Sequence, residues 1–392
     1  MKERILTIDI MRGLTLFLML FVNDLYMPGV PGWLGHTTAN FDGMGLADWV
    51  FPGFLFMVGM AVPFAVKSRV RKGHSTPKIV FHILVRTFSL LLIGVFMVNV
   101  SRLNPELAGI SVNVWAILVY LCVFLVWNIY ENLNPKIVYT LKTAGLAGLL
   151  ILALVFKAGT ADNVSWLHTS WWGILGLIGW GYFTASLIYI FVKDKLLLIG
   201  LFWMFFVALN ILTQLQLLSF LNPLKPILGV VISGNTPSIV LAGLFFSVLI
   251  QKIGFSDYRK ISGVGILLGI GLIIVGFILR KWFIISKIQG TPSWAMICNG
   301  ISVTVFVLLF LIIDVAKRTK WTALFKPAGQ NSLTTYLAPD ILYYSIWMSG
   351  VPVLYYKQID SAFVVVAGSV VWALAMIGFA WLLAKIGIRL KL

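Results

Sequence analysis

The chain has 392 residues, of which 60% are hydrophobic and 11% charged, and it carries a formal net charge of +17. A soluble domain carries about 25% charged residues. With a mean hydropathy of +0.98, these proportions exclude an ordinary soluble fold and indicate an all-α polytopic membrane protein. The excess of basic residues suits cytoplasmic loops rather than nucleic-acid binding.

Apolar runs separated by polar breaks predict about twelve spans, at 5–26, 46–67, 78–100, 112–129, 138–157, 172–192, 195–214, 236–251, 261–280, 293–314, 327–348 and 361–386. Each is expected to be a helix, because backbone groups in lipid must be satisfied within the segment. The first run is too long for a cleaved signal peptide and lacks a small-residue cleavage pattern. With the N-terminus inside, 21 basic residues fall in inside segments and 7 in outside ones, Arg12 and Arg86 lying within spans. That asymmetry puts both termini in the cytoplasm. No soluble domain separates, so 1–392 reads as one integral-membrane domain. The longest breaks are 27–45 and 215–235, and the second has room for a short helical piece.

Polar chemistry concentrates where the first two spans meet. NDLYMPGVPGWLGHTTANFDGMGLADW, residues 23–49, sets Asn23, Asp24, His36, Asp42 and Asp48 in a Gly- and Pro-rich loop between two apolar runs. Histidine titrates near neutrality and serves as base or nucleophile. Asp48, at the start of the second helix, is placed to cap it or to orient an imidazole as in hydrolase triads. Asn23 offers both donor and acceptor groups, or caps the first helix.

Elsewhere, Asp9 and Arg12 at i and i+3 share a helix face and form an interfacial ion pair or an anion contact. Arg86, with Arg71, Lys72 and Lys78, makes a basic cytoplasmic mouth suited to phosphates, or else snorkels. Asn235 and Ser238 start the eighth run from outside. Asn331 and Ser332 start the eleventh, as substrate contacts or as hydrogen bonds between helices. His74 and His82 read as incidental, and His168 as a weaker lining residue of the outer mouth. Cys122 and Cys298 lie inside apolar runs as packing residues. No nucleotide-binding or zinc pattern is present.

The segments ILTIDIMRGLTLFLMLFVN, GLADWVFPGFLFMVG, GNTPSIVLAG, WFIISKIQGTPSWAM and PAGQNSLTTYL, in that order, resemble the heparan-alpha-glucosaminide N-acetyltransferase family, and its short bacterial members in particular. The fourth span, SVNVWAILVYL, departs from that family's Pro-Gly-Val-Leu-Gln-Arg run. The resemblance implies acetyl transfer from cytosolic acetyl-CoA to an amino sugar or related glycan across the inner (plasma) membrane. His36 would be the catalytic base or acyl carrier, Asn23 its supporting amide and Asp48 the residue that sets the tautomer. Arg12, Arg71, Lys72 and Arg86 would hold acetyl-CoA, and Asn235, Ser238, Asn331 and Ser332 the acceptor. The expected partners are therefore acetyl-CoA, the glycan and the bilayer, with a homodimer left open. The rival reading is a sugar or glycan transporter that uses the same cavity without acyl transfer.

Overall fold

The computed structural model of the chain describes residues 5–131, 133–359 and 361–392. Lys2 and Arg4, counted above among the inside basic residues, lie outside the described residues. Among the described residues, twelve helices of sixteen residues or more follow one another. They are α1 (Leu6–Asp24), α2 (Leu46–Arg71), α3 (Thr76–Asn99), α4 (Val112–Trp127), α5 (Pro135–Val155), α6 (Gly173–Val192), α7 (Leu196–Gln214), α8 (Asn235–Ile253), α9 (Tyr258–Leu279), α10 (Pro292–Phe310), α11 (Ser332–Ser349) and α12 (Ala362–Lys385). Among the described residues, ten helical segments are long and apolar enough to cross a membrane. The other two are α4, with 16 residues, and α11, whose run is interrupted by Pro339 and Asp340. The chain is thus an integral membrane protein, and a count of twelve crossings depends on these two.

The two breaks read from the sequence are long connections, and so are residues 311–331 between α10 and α11 and 156–172 between α5 and α6. Residues 215–234 hold a 3-10 turn, Ser219–Leu224, and a helix, Lys225–Ile232. One feature had no counterpart in the apolar pattern: a hairpin of β1 (Ala158–Thr160) and β2 (Asn163–Ser165) between α5 and α6. The eleventh run is broken near its start, where Lys326–Gln330 stops and α11 begins after Asn331, whose φ of −118° and ψ of 44° leave the helix.

The core is built on α1, α2, α8 and α10. In α2 and α10, 67% of the apolar window is buried, against 17% in α5, so α5 presents most of its surface to lipid. Small residues let the central helices touch backbone to backbone, the usual way helices associate in lipid. A Cβ on Gly59 of α2 would stand 1.8 Å from the Val240 carbonyl oxygen, and one on Gly243 of α8 would stand 2.0 Å from that of Phe56. Ser247 adds a hydrogen bond from its Oγ to the Met60 carbonyl, 2.9 Å. This contact holds α2 rigid below its first turn, where Asp48 sits.

Candidate active site

Two loops on one face of the bundle meet over the start of α2. The α1–α2 loop carries His36. The α9–α10 loop, residues 280–291, carries Lys287. Asp42 clamps them, accepting from the Ile285 N–H at 2.8 Å and from Arg280 Nε at 2.8 Å. These contacts, the Ile285 N–H first and the Arg280 guanidinium second, hold the Asp42 carboxyl below the usual carboxylate range. The Gly43 N–H donates to the Ile285 carbonyl at 3.0 Å. Ser286 Oγ and Gln289 Nε2 both donate to the Ala39 carbonyl, at 2.8 and 2.9 Å.

Within this clamp His36 Nδ1 lies 2.8 Å from Asp48 Oδ1. Asp48 Oδ2 accepts from the Thr37 N–H (3.1 Å), Thr37 Oγ1 (3.0 Å) and the Gly45 N–H (3.0 Å). The Gly45 bond is the side-chain half of a capping box. Four donors converge on one fully buried side chain, which therefore acts as an acceptor-only carboxylate. Its demand for hydrogen fixes the imidazole with Nδ1–H toward Asp48 and the lone pair on Nε2. Asp48 is itself anchored from α10, since Trp294 Nε1 donates to its main-chain carbonyl at 3.2 Å. The His36 side chain is 45% exposed while that of Asp48 is 0% exposed, so the imidazole is open to solvent and the carboxylate beside it is not.

Lys287 completes the group. Its Nζ stands 3.2 Å from Nδ1 and 3.5 Å from Nε2 of His36. Burial lowers its pKa, and the nearby Asp48 charge opposes that shift. In the sequence Lys287 was counted only as one of the outside basic residues. The sole signal for it was its place in WFIISKIQGTPSWAM, a segment that carries the family resemblance.

Asn23 stands apart from this group. It is exposed on the last turn of α1, and no hydrogen bond joins its amide to His36 or Asp48 among the described residues. The next residue, Asp24, is buried; it accepts from the hydroxyls of Tyr343 and of Tyr356 (2.6 Å) and pairs with Lys357 at 2.7 Å. That cluster pins the end of α1 and fixes the direction in which Asn23 faces.

The basic residues assigned to the donor lie at the opposite end of α2. Arg12 pairs with Asp9 at 2.8 Å and lines two cavities. One, of about 600 Å³, also takes in Lys67 and Arg71. The other, of about 330 Å³, takes in Arg69, Arg86, Tyr182, Ser332 and Lys391. The Arg86 guanidinium sits 4.6 Å over the Tyr182 ring. Lys72 is exposed just past α2 and lines neither cavity. The second cavity follows α2 from Arg69 to Phe54, about 22 Å of helix, and Phe54 is about 9 Å from Asp48 along the same axis.

The four residues read as acceptor contacts do not converge. Ser332 belongs to the arginine-lined cavity, and Asn331 to a neighbouring pocket with Lys326, Lys385 and Arg389. Asn235 is on the His36 face, where its Nδ2 donates to the Gly290 carbonyl at 2.8 Å. Ser238 is buried and donates to the Asn235 carbonyl at 2.7 Å. His168 Nδ1 accepts from the Ser170 N–H at 2.8 Å, a local turn contact. Cys122 and Cys298 are free thiols.

Residues 4–218 match a family model described as a domain of unknown function (DUF5009). Residues 244–387 match a second, described as a protein of unknown function (DUF418). Among curated proteins, the heparan-alpha-glucosaminide N-acetyltransferase of Mus musculus is 38% identical over 97 residues, which is 25% of this chain and 14% of that protein. The Homo sapiens protein of the same name is 34% identical over 99 residues, again 25% of this chain and 14% of the relative. The similarity expected from the motifs is therefore present, and it takes in about a seventh of the length of each relative.

Proposed function

We propose that this chain, which belongs to the family described as a domain of unknown function (DUF5009), is a transmembrane acetyltransferase that moves acetyl from cytosolic acetyl-CoA to an amino sugar or related glycan on the face carrying His36. One observation carries this reading. A single bundle holds an Asp48–His36–Lys287 group at one end of α2 and an arginine-lined cavity that climbs from the other end toward it. The similarity to two N-acetyltransferases supports the reaction class. The 21:7 division of basic residues supports a cytosolic site for the donor.

The donor's chemistry fits the second cavity. Arg12, Arg69, Arg86 and Lys391 present guanidinium and ammonium groups suited to phosphates. Leu16, Phe54, Leu90 and Ile178 give apolar walls for an extended arm. In the reaction the acceptor amine attacks the thioester carbonyl. His36 Nε2 takes the amine proton, the C–N bond forms and the C–S bond breaks. The thiol leaves after gaining a proton, so atoms and charge balance. Asp48 stabilises the imidazolium that forms. Lys287 is placed to donate to the developing oxyanion, the kind of fixed positive group that lowers such barriers most. Asn23 is assigned to acceptor positioning at the exposed end of α1, and Asn235 to the acceptor side. Arg71 and Lys72 serve as the outer basic mouth.

Sealed vesicles test the whole reading. With labelled acetyl-CoA on the face carrying Arg71 and glucosamine on the face carrying His36, free thiol and acetylated sugar should appear only when both substrates are present. Sugar movement without acetylation would replace this reading with the transporter one, and thiol release that ignores the sugar would make the chain a thioester hydrolase and not a transferase.

Two further outcomes follow. Arg86→Ala should raise the KM for acetyl-CoA about tenfold, since losing a charge-assisted contact of about 1.4 kcal/mol is a factor of ten. The acceptor KM should hold. An equal rise in both would reduce Arg86 to a packing residue on Tyr182. Lys287 predicts a pH effect. Its ammonium is the useful form and burial lowers its pKa, so activity should fall as pH rises, before a solvated lysine would lose its proton. Lys287→Arg carries a guanidinium that stays charged. It should move that alkaline limb to higher pH, and an unmoved limb would assign it to another group.

A further inference from the structure

At the Arg71 end of the bundle, beside the cavity assigned to the donor, lies another of about 500 Å³ that acetyl transfer does not use. It opens where the short helix Lys326–Gln330 packs against the last turn of α12. Lys326, Lys385 and Arg389 line it, with Asn331 at the start of α11 and Trp381 on α12. Gln330 lines both cavities. The C-terminal segment divides between them, with Arg389 on this cavity and Leu390 and Lys391 on the donor's.

Its cations lack acids. No Asp or Glu occurs from 315 to 339 or from 362 to 392. Among the described residues, no carboxylate pairs with Lys326, Lys385 or Arg389. A cleft lined by charges of one sign focuses its field and draws a counter-ion. Arg389 is also held in place. Its N–H donates to Asn128 Oδ1 at 2.7 Å, and its carbonyl accepts from the Ile129 N–H at 2.9 Å. Its Nε donates to the Ala384 carbonyl at 3.0 Å, while its two Nη groups have no protein partner among the described residues. Guanidinium groups presented in this way suit phosphate oxygens.

The surroundings of the cavity are apolar and open. Trp321, Leu324, Leu382 and Ile386 are exposed beside it, and only 28% of the apolar window of α12 is buried. The Lys385 ammonium lies 3.8 Å from the centre of the Trp381 ring, a tryptophan of the kind that marks the membrane–water interface. We infer that this cavity binds the phosphate headgroup of an anionic phospholipid, whose acyl chains run along the exposed side of α12. Basic pockets between membrane helices recognise lipid headgroups in this way. A soluble phosphate has the same oxyanion but none of the acyl chain that the apolar rim meets. The site does not depend on the acetyltransferase reading. Only its consequence does: a lipid that holds Arg389 also steadies the segment that brings Lys391 to the donor cavity.

The test takes the full chain in detergent and reads bound lipid by native mass spectrometry, with phosphatidylglycerol and phosphatidylcholine of identical acyl chains. The wild type should retain phosphatidylglycerol with a preference of about tenfold. Lys385→Gln/Arg389→Gln should abolish that preference, and Arg389→Lys, which keeps the charge, should retain most of it. Lys317→Gln/Arg318→Gln removes the same charge from exposed residues outside the cavity and should behave as the wild type. Should the Lys385/Arg389 double variant fail to fold, Lys326→Gln and Lys385→Gln carry the test singly, each expected to weaken the preference about threefold. A preference that survives the loss of the cavity's cations, or that falls equally in Lys317→Gln/Arg318→Gln, would overturn the site and leave these residues to orient the chain in the bilayer. Glycerol 3-phosphate or acetyl-CoA that displaces phosphatidylglycerol at equal concentration would overturn the lipid as ligand. Lipid preference that depends on the cavity in a chain that transfers no acetyl would keep this site and defeat the transferase reading.

Discussion

His36→Ala should reduce acetyl transfer by at least about 10²–10⁴-fold, the usual contribution of a positioned general base, while binding of acetyl-CoA is retained. The two functions separate because of distance. α2 has 26 residues, about 39 Å of helix, with Asp48 in its first turn and Arg69 and Arg71 in its last. The half-exposed imidazole fills no core, and its loss leaves only Asp48 Oδ1 short of a donor, a cost of about 1–3 kcal/mol, so the variant should still fold, with a small drop in melting temperature. Initial rates of thiol release and equilibrium binding of labelled acetyl-CoA check the two halves. A near-normal rate would end the catalytic role of His36. Donor binding lost together with the rate would instead mean that the loop couples to the far cavity.

How much of this was legible in the sequence depended on whether the cause was local. The long helices were legible because lipid demands an unbroken apolar run, and the run at 46–67 appears as Leu46–Arg71. The break at Asn331 was not, because a single residue leaving the helix changes no hydropathy average. The His36–Asp48 pair spans 12 positions, close enough for a loop and a helix start to suggest it. Lys287 is 251 positions from His36, and the contacts that Asp42, Gly43 and Ala39 make with the α9–α10 loop bring the two loops together. The direction of Asn23 was beyond reach for a different reason. Successive helix residues point about 100° apart, and the tyrosines of α11 and of the following loop, by taking Asp24 inward, decide where its neighbour faces. The grouping of Asn235 and Ser238 with Asn331 and Ser332 joined residues that start helices at opposite ends of the bundle.

Asp48→Asn should cost about as much activity as losing His36 while sparing the fold, and the reason lies in how four donors divide between two oxygens. Oδ2 receives three of them, from Thr37 N–H, Thr37 Oγ1 and Gly45 N–H. Oδ1 receives one, from His36. An asparagine keeps one oxygen and gains an amide with two hydrogens. Turning that amide toward Thr37 and Gly45 would face N–H against N–H, so the oxygen takes the Oδ2 place and the amide meets His36. The imidazole must then accept at Nδ1 and carry its hydrogen on Nε2, where the base is needed. The analogous change in a serine-protease triad lowers kcat by about 10⁴ through the same wrong tautomer. Three of four donors stay satisfied, so the melting temperature should shift little. Asp48→Ala takes the acceptor from the buried Gly45 N–H and the part-buried Thr37 N–H and should destabilise by a few kcal/mol, at about 1–3 for each buried group left unpaired. The double variant His36→Ala/Asp48→Asn should be no slower than His36→Ala alone, because residues acting as a unit are not additive. Activity in Asp48→Asn close to that of the wild type, or independent losses that multiply in the double variant, would show that Asp48 caps α2 and does nothing for the imidazole.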